Sequence, residues 1–512
     1  MLRWKSLATL AVTVALTATA CSSGGTDAGA GSNSTGGAAH APLLRLGVAG
    51  APTTMAASGS SIGQFSPFYQ AVYDSLIRAK PDGTLAPMLA ESWTYDDART
   101  RLTLKLRKGV TFTDGTAFNA AAAKANLERF TKDNPERQLL AAVKTLTAPD
   151  EATLVIGLNE VDPGLLDALA GNASFMQSPA TFDAKDAATR PVGSGPYTLD
   201  ASGTVIGSKY TFTANPEYWD KSLVHYDKIS MSVFTDGTAQ VNAVKSGQLD
   251  AAALTTNQKL PDIKAAGWTA LPQPLDMSGI FIYDRAGKIN PALGKVEVRR
   301  AMNHAFDRAA LLKAVSQGLG EVSAQPYGTT SGAYDKSLND LYAYDPAKSR
   351  AMLAEAGYPD GVKIELPTTN ASSPLFTFIK QQLDKAGFHT KLVDAGTKYV
   401  TDIMAGKYAL AFFQVANTND WTFTNAALTE GALWNPLHYK DATSAKLIDQ
   451  VRNEEGSAQD KALKDLNAHV TKDAWFAPWY QVQNVFTAGP KTSVELQKGQ
   501  AFPGIWYFTP KS

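Results

Sequence analysis

The sequence predicts an α/β protein with at least two lobes, and three observations lead there. Of 512 residues, about 470 follow residue 41, well above the size at which one hydrophobic core stops growing. Strand-like runs of period two alternate with capped helical runs, most regularly over residues 345–414. A single cysteine, Cys21, rules out a disulfide framework, so the folded part is held by its cores alone.

The chain opens with an export pattern. Arg3 and Lys5 precede an apolar run from Leu7 to Ala18, about a dozen residues where a membrane-spanning helix needs about 20, so residues 1–20 read as a signal peptide. Ala18-Thr19-Ala20-Cys21 resembles a bacterial lipobox, with Ala18 in place of the usual leucine. An ordinary signal peptide that contains a cysteine is the alternative. Residues 21–42 are almost wholly Gly, Ser, Ala, Thr and Asn and predict a flexible tether with a reach of roughly 25 Å. On this reading Cys21 is a lipid anchor.

Leu44 to Val48 alternates and forms the first predicted strand. RLTLKLR places Leu102, Leu104 and Leu106 on one face of another, Asp114-Gly115 marks a turn, and Asn119 caps a helix beginning at Ala120. KYTFTAN (209–215) is strand-like, and VNAVKSGQLDAA (241–252) reads as a helix stopped by Gly247 ahead of a strand. Asp307 caps a helix stopped at Gly318, and Asp345-Pro346 starts one that Gly357 ends. Leu375, Phe378, Ile379, Leu383 and Ala386 share a helical face ended by Gly387. KIEL, HTKLV and ALAFFQV supply strands between these helices, so 345–414 reads as one α/β unit.

Composition and motifs exclude several functions. Acidic and basic residues number 48 each, a formal charge of zero, which argues against a nucleic-acid partner. None of the six histidines lies three to five residues from another, so no local metal pair forms. The chain has no G-x-S-x-G nucleophile elbow and no phosphate-cradling G-x-x-x-x-G-K-[ST]; Gly193-Ser194-Gly195 runs into Pro196 and reads as a turn. No catalytic residue, metal or cofactor is predicted. An exported enzyme is the less favoured alternative, and a chaperone-like or signalling binder on the same fold is the third.

Several stretches together resemble the peptide/nickel-type solute-binding proteins of ABC importers, extracellular family 5. They are LAESWTYDDARTRLTLKLRKGVTFTDGTAFNA (89–120), with Glu91, Ser92, Trp93, Leu106, Arg107, Gly109, Phe112, Asp114 and Gly115 at matching positions, GSGPYTL (193–199), NPEYWD (215–220), VRRAMNHAFDRAALLKAVSQGLG (298–320) and YDPAKSRAMLAEAGYPDG (344–361). The similarity runs over about residues 43–510. It implies a two-lobed, periplasmic-binding-protein-like α/β fold (type II, class C) with an extra subdomain inserted in the first lobe. Lobe I would be 43–67, 192–280 and 484–512, the inserted subdomain 68–191, and lobe II 281–483. Trp93 and Asp114-Gly115 would then be structural. The resemblance further implies a monomer that closes on its ligand by a hinge, outside the membrane, and works with a permease and its ATPase.

For the ligand, the resemblance implies a loop after a lobe II strand, here FFQVANTNDWTFTNAAL (412–428). Asn417 falls where dipeptide-binding members carry an aspartate for the peptide ammonium, and Asp420 could substitute. Asn370, beside Thr369 in LPTTNASSP (366–374), falls near their arginine for the ligand carboxylate. Both clamps therefore read as neutral. Because a buried ammonium without a counter-charge costs several kcal/mol, oligopeptides held through their backbone are expected, with neutral solutes such as oligosaccharides as the alternative. Trp421 and Trp434 are candidate pocket walls.

Overall fold

The computed structural model describes residues 40–511, apart from positions 62, 371, 418 and 501. The signal peptide, Cys21 and the tether up to residue 39 lie outside the described residues. Among the described residues no helix is long and apolar enough to cross a membrane.

A nine-stranded mixed sheet organises the molecule. From one edge its strands are Leu410–Ala416, Thr269–Ile282, Phe476–Ala488, Ala251–Ala253, Ala41–Val48, Tyr226–Val233, Lys209–Ala214 and Tyr197–Leu199, with Gly320–Val322 also paired to Phe476–Ala488. Ala41–Val48 pairs in parallel with both of its neighbours, as a strand buried on both faces does. Thr269–Ile282 and Phe476–Ala488, with 14 and 13 residues, run antiparallel, with register shifts at Pro274/Asp276 and Ser278/Gly279.

Those two strands join two separate cores. Leu271 and Phe486 pack with Leu46, Phe68, Tyr210 and Trp506 in one cluster. Met277, Ile280, Phe281, Phe476 and Trp479 belong to another, with Met302, Leu366 and Leu466. A third core lies under the antiparallel sheet Ala90–Tyr95, Arg101–Leu106, Thr153–Leu158, Val143–Asp150, covered by the helix Ala120–Asp133. A small fourth cluster holds Val241, Ile263 and Trp268.

The caps fall as the sequence predicts. Asn119 accepts from the Ala122 amide, Asp307 from Ala310 and Asp345 from Lys348, each satisfying one of the orphan amides of its helix. Gly247, Gly318 and Gly357 take positive φ beyond their helices. Residues 345–414 are less uniform than their pattern. Val362–Thr368 and Phe388–Asp394 form a parallel pair, but Leu410–Ala416 joins the large sheet beside Thr269–Ile282. Strand periodicity fixes which face is buried, not which neighbour completes the ladder.

The GSGPY turn closes the third core onto the first. Gly195 donates to the Val72 carbonyl at 3.0 Å, and a Cβ there would meet Val72 carbon at 2.5 Å and the Tyr73 nitrogen at 2.7 Å, so only glycine fits. Ser194 between the glycines donates to fully buried Asp74, which also accepts from Tyr218 and the Trp219 indole at 2.9–3.0 Å. Arg107 stacks 4.1 Å over Trp219. Trp93 is partly buried against the third core, and Asp114 accepts from Thr116 and Ser178 across its turn.

Candidate functional site

A cleft of about 360 Å³ opens where three stretches of the chain meet: residues 79–172, residues 330–422, and Lys498 with Gln500. This is within the usual size of a small-ligand pocket.

The 417–420 loop supplies one wall. Asn419 caps the helix Asp420–Ala427 by accepting from the Trp421 and Thr422 amides at 2.9 and 3.1 Å. Its amide nitrogen is left to donate outward, to Asp167 at 2.6 Å. Asp420 accepts from the Gly332 amide at 3.0 Å, and desolvation raises its pKa above the ordinary carboxylate value.

Asp167 comes from the other side, in the short helix Leu165–Leu169. Its side chain is exposed, facing the cleft; the protein mass around it, and then the charge of Asp162, push its carboxyl up toward about 6. Asp162 accepts from the Trp421 indole at 2.9 Å, and burial raises its pKa as well. Gly164 lets this contact form, since a Cβ there would sit 2.9 Å from Trp421 Cδ1. Further out, Arg452 lies 5.4 Å over the Trp421 ring and pairs with Glu160. Arg99 donates to the Arg452 carbonyl at 2.7 Å and pairs with Glu455 at 2.6 Å. Residues 99–167 and 419–455 are thus fastened together beside the cleft.

The cleft is not neutral. Asp82, Asp167 and Asp420 line it against one basic side chain, Lys498, which makes no ion pair among the described residues. Asp82 is engaged by Thr84, whose hydroxyl and amide hold its carboxyl below the ordinary range.

Of the residues singled out from sequence, the structure brings Asn417 and Asp420 to the cleft wall. Asn417 is 8% exposed; its amide nitrogen reaches the Pro326 carbonyl at 3.3 Å and its side-chain oxygen is buried without a partner. Trp421 does not line the cleft but buttresses it through Asp162, with 7% of its surface exposed. Trp434 is a core residue, its ring 4.5 Å from Phe413 and 5.8 Å from Phe281. Thr369 and Asn370 are exposed beyond the end of Val362–Thr368, where Asn370 closes a turn onto the Ser372 amide at 2.9 Å, and neither lines the cleft. The expected neutral clamps therefore correspond to this cleft only at Asn417. Sequence reasoning missed Asp167. DPGLLDALA (162–170) shows a turn and an acid on a short helix, but nothing local says that helix faces residue 419.

One group of metal-ligand types converges elsewhere: Asp441, His469 and Asp473. Each already has a protein partner. Asp441 caps the helix Ala442–Asn453 and meets His469 at 3.1 Å, and Asp473 faces Arg299 at 3.7 Å.

Residues 84–432 match the family described as bacterial extracellular solute-binding proteins, family 5 Middle. The chain belongs to that family. Family 5 proteins bind solutes and are not enzymes. The chain is 30% identical over 347 residues to the glutathione-binding protein GsiB of Salmonella typhimurium, a match covering 64% of each chain, so it spans less than two thirds of that relative's length. HbpA2 from Haemophilus parasuis superposes with a TM-score of 0.79 at 20% identity, over 92% of this chain and all of that one. The periplasmic binding protein DppA from Helicobacter pylori, solved with the peptide STSA, superposes with 0.75 at 19% identity, over 93% and 99%. These likenesses establish the two-lobed periplasmic-binding-protein fold.

Proposed function

We propose that the chain is the substrate-binding component of an ABC importer, capturing peptides outside the membrane and presenting them to a permease and its ATPase. The observation that carries this is the cleft itself, enclosed by segments from three parts of the chain and flanked by two long strands that pass from one core to another. That layout suits a hinge. The paired strands Thr269–Ile282 and Phe476–Ala488 flex at their register shifts, and the wall contacts at Asn419, Trp421 and Arg452 form on closing. Residues 43–67, 192–280 and 484–512 act as lobe I, 68–191 as the inserted subdomain, and 281–483 as lobe II. Cys21 carries the lipid anchor, with 21–42 as the tether, and the protein works as a monomer. The peptide assignment draws on relatives whose names or solved complexes carry peptides.

Thermal unfolding of the full-length chain against di- to hexapeptides tests the proposal. A solute at about 100 times its dissociation constant adds about 2.7 kcal/mol. Peptides are expected to raise the melting temperature and neutral oligosaccharides to leave it unchanged; the reverse outcome contradicts the assignment.

A further inference from the structure

We propose that Arg99 and Arg452 form a reciprocal clasp outside the cleft, a salt-sensitive contact that draws the 68–191 segment onto the 281–483 segment independently of any solute. The inference rests on the reading of this cleft as one that opens and closes. It adds two positioning residues that a bound solute would not touch.

Three observations support it. First, each arginine crosses to the other segment. Arg452, in the last turn of the helix Ala442–Asn453, pairs with Glu160 and lies 5.4 Å over the Trp421 ring. Arg99, in the turn between Ala90–Tyr95 and Arg101–Leu106, pairs with Glu455 at 2.6 Å. Second, Arg99 completes that helix from the far side. The last carbonyls of a helix lack partners within it, and a cation there meets the negative end of the helix dipole. Arg99 donates to the Arg452 carbonyl at 2.7 Å and to that of Glu454, just past the helix, at 3.5 Å. Third, the turn that carries Arg99 is strained. Its φ of 53° lies in the left-handed region, which few residues other than glycine enter, and such strain persists where the surroundings enforce it. The Asp96 carboxylate holds the turn, accepting from the Thr100 and Arg101 amides at 2.9 and 3.0 Å.

None of Arg99, Glu160, Arg452 and Glu455 lines the cleft. The clasp bears on its wall all the same, because the Trp421 ring beneath Arg452 donates to Asp162 at 2.9 Å and belongs to the helix Asp420–Ala427. A contact of this kind shifts the balance between open and closed forms by its own interaction energy, and a solute adds its share on top. Both glutamates are exposed, while the two arginine side chains are 19% and 22% exposed. Pairs so open to solvent weaken with added salt.

Small-angle scattering on the unliganded full-length chain, at about 50 mM and about 1 M sodium chloride, tests the clasp without a solute. The radius of gyration is expected to rise with salt. In the double variant Glu160→Gln with Glu455→Gln, it is expected to be raised already at the lower salt and to respond little to the higher. Substituting two exposed side chains spares the cores, and melting curves check that the variant folds. Arg99→Lys, which keeps the charge, is expected to retain the salt response, whereas Arg99→Ala loses most of it. A wild-type radius that ignores salt overturns the inference. So does a double variant that melts earlier but scatters like wild type, since the arginines then only hold the fold together. Either result leaves the peptide assignment standing, because no peptide enters the measurement.

Discussion

Asp74 and Asp167 are two carboxylates with raised pKa values and opposite surroundings. Asp74 is fully buried, touches no open space, and receives three donors from Ser194, Tyr218 and Trp219. Asp167 faces a cleft and receives one, from Asn419. Full burial raises Asp74 to about 7, whereas the exposed Asp167 is pushed toward about 6 by the surrounding protein and the neighbouring Asp162. What separates them is whether the protein has already supplied the donors. A buried acid furnished with donors from three motifs ties the fold together, whereas one left short and open to a cavity has capacity for something that arrives later.

The largest expected effect is at Asp74. Asp74→Ala leaves three buried donors without an acceptor, at about 1–3 kcal/mol each, so chemical denaturation is expected to register a loss of about 3 kcal/mol or more. The pH profile sharpens this. Asp74 holds its proton more tightly folded than unfolded, so its effect on stability improves as pH falls through about 7 and is fully gained below the ordinary value of 3.8. Asp74→Asn is expected to flatten that part of the stability profile between pH 8 and 5, and a slope unchanged from wild type would assign it to another group.

At the cleft, the expected effect of pH is on affinity. The charges facing Asp167 are Asp162 on its own segment, Asp420 across the cleft, Asp82, and Lys498, with Tyr95 nearby. As pH falls from 7 to 5 Asp167 gains its proton, and affinity for a cationic solute is expected to drop about tenfold in isothermal titration, a change of about 1.4 kcal/mol. Removing the buttress is milder. Trp421→Phe keeps the ring but deletes its hydrogen bond to Asp162, and is expected to weaken solute binding by about 1 kcal/mol, mainly through faster release. The smallest effect is on stability at the cleft. Asp167→Asn is expected to leave the unfolding free energy within about 1 kcal/mol of wild type, since the group is open to the cleft.

Much of the fold was legible because its signals are local. Asn119, Asp307 and Asp345 each cap within three residues, whereas the Gly195 constraint comes from Val72 and Tyr73, more than 120 residues earlier. Periodicity located the strand 410–416 but not its partner, whose paired residues lie 128 to 140 positions earlier. The cleft was legible only on the wall carrying Asn417 and Asp420. Asn370 falls near a family position and Trp434 flanks the 412–428 loop, but the chain uses Asn370 to close an exposed turn and Trp434 to fill a core. Asp167 had no such pattern behind it. Its meaning depends on a contact with Asn419, 252 residues away, and on which acids are already satisfied, and neither is written in its neighbourhood.

Small-angle X-ray scattering on the full-length chain, with and without a saturating free-ended peptide, tests the central claim most directly. If the wall contacts at Asn419, Trp421 and Arg452 form as the cleft closes on a solute, the radius of gyration falls when peptide binds, and Trp421→Ala blunts the change. A bound peptide that leaves the scattering curve unchanged would contradict closure about the paired strands.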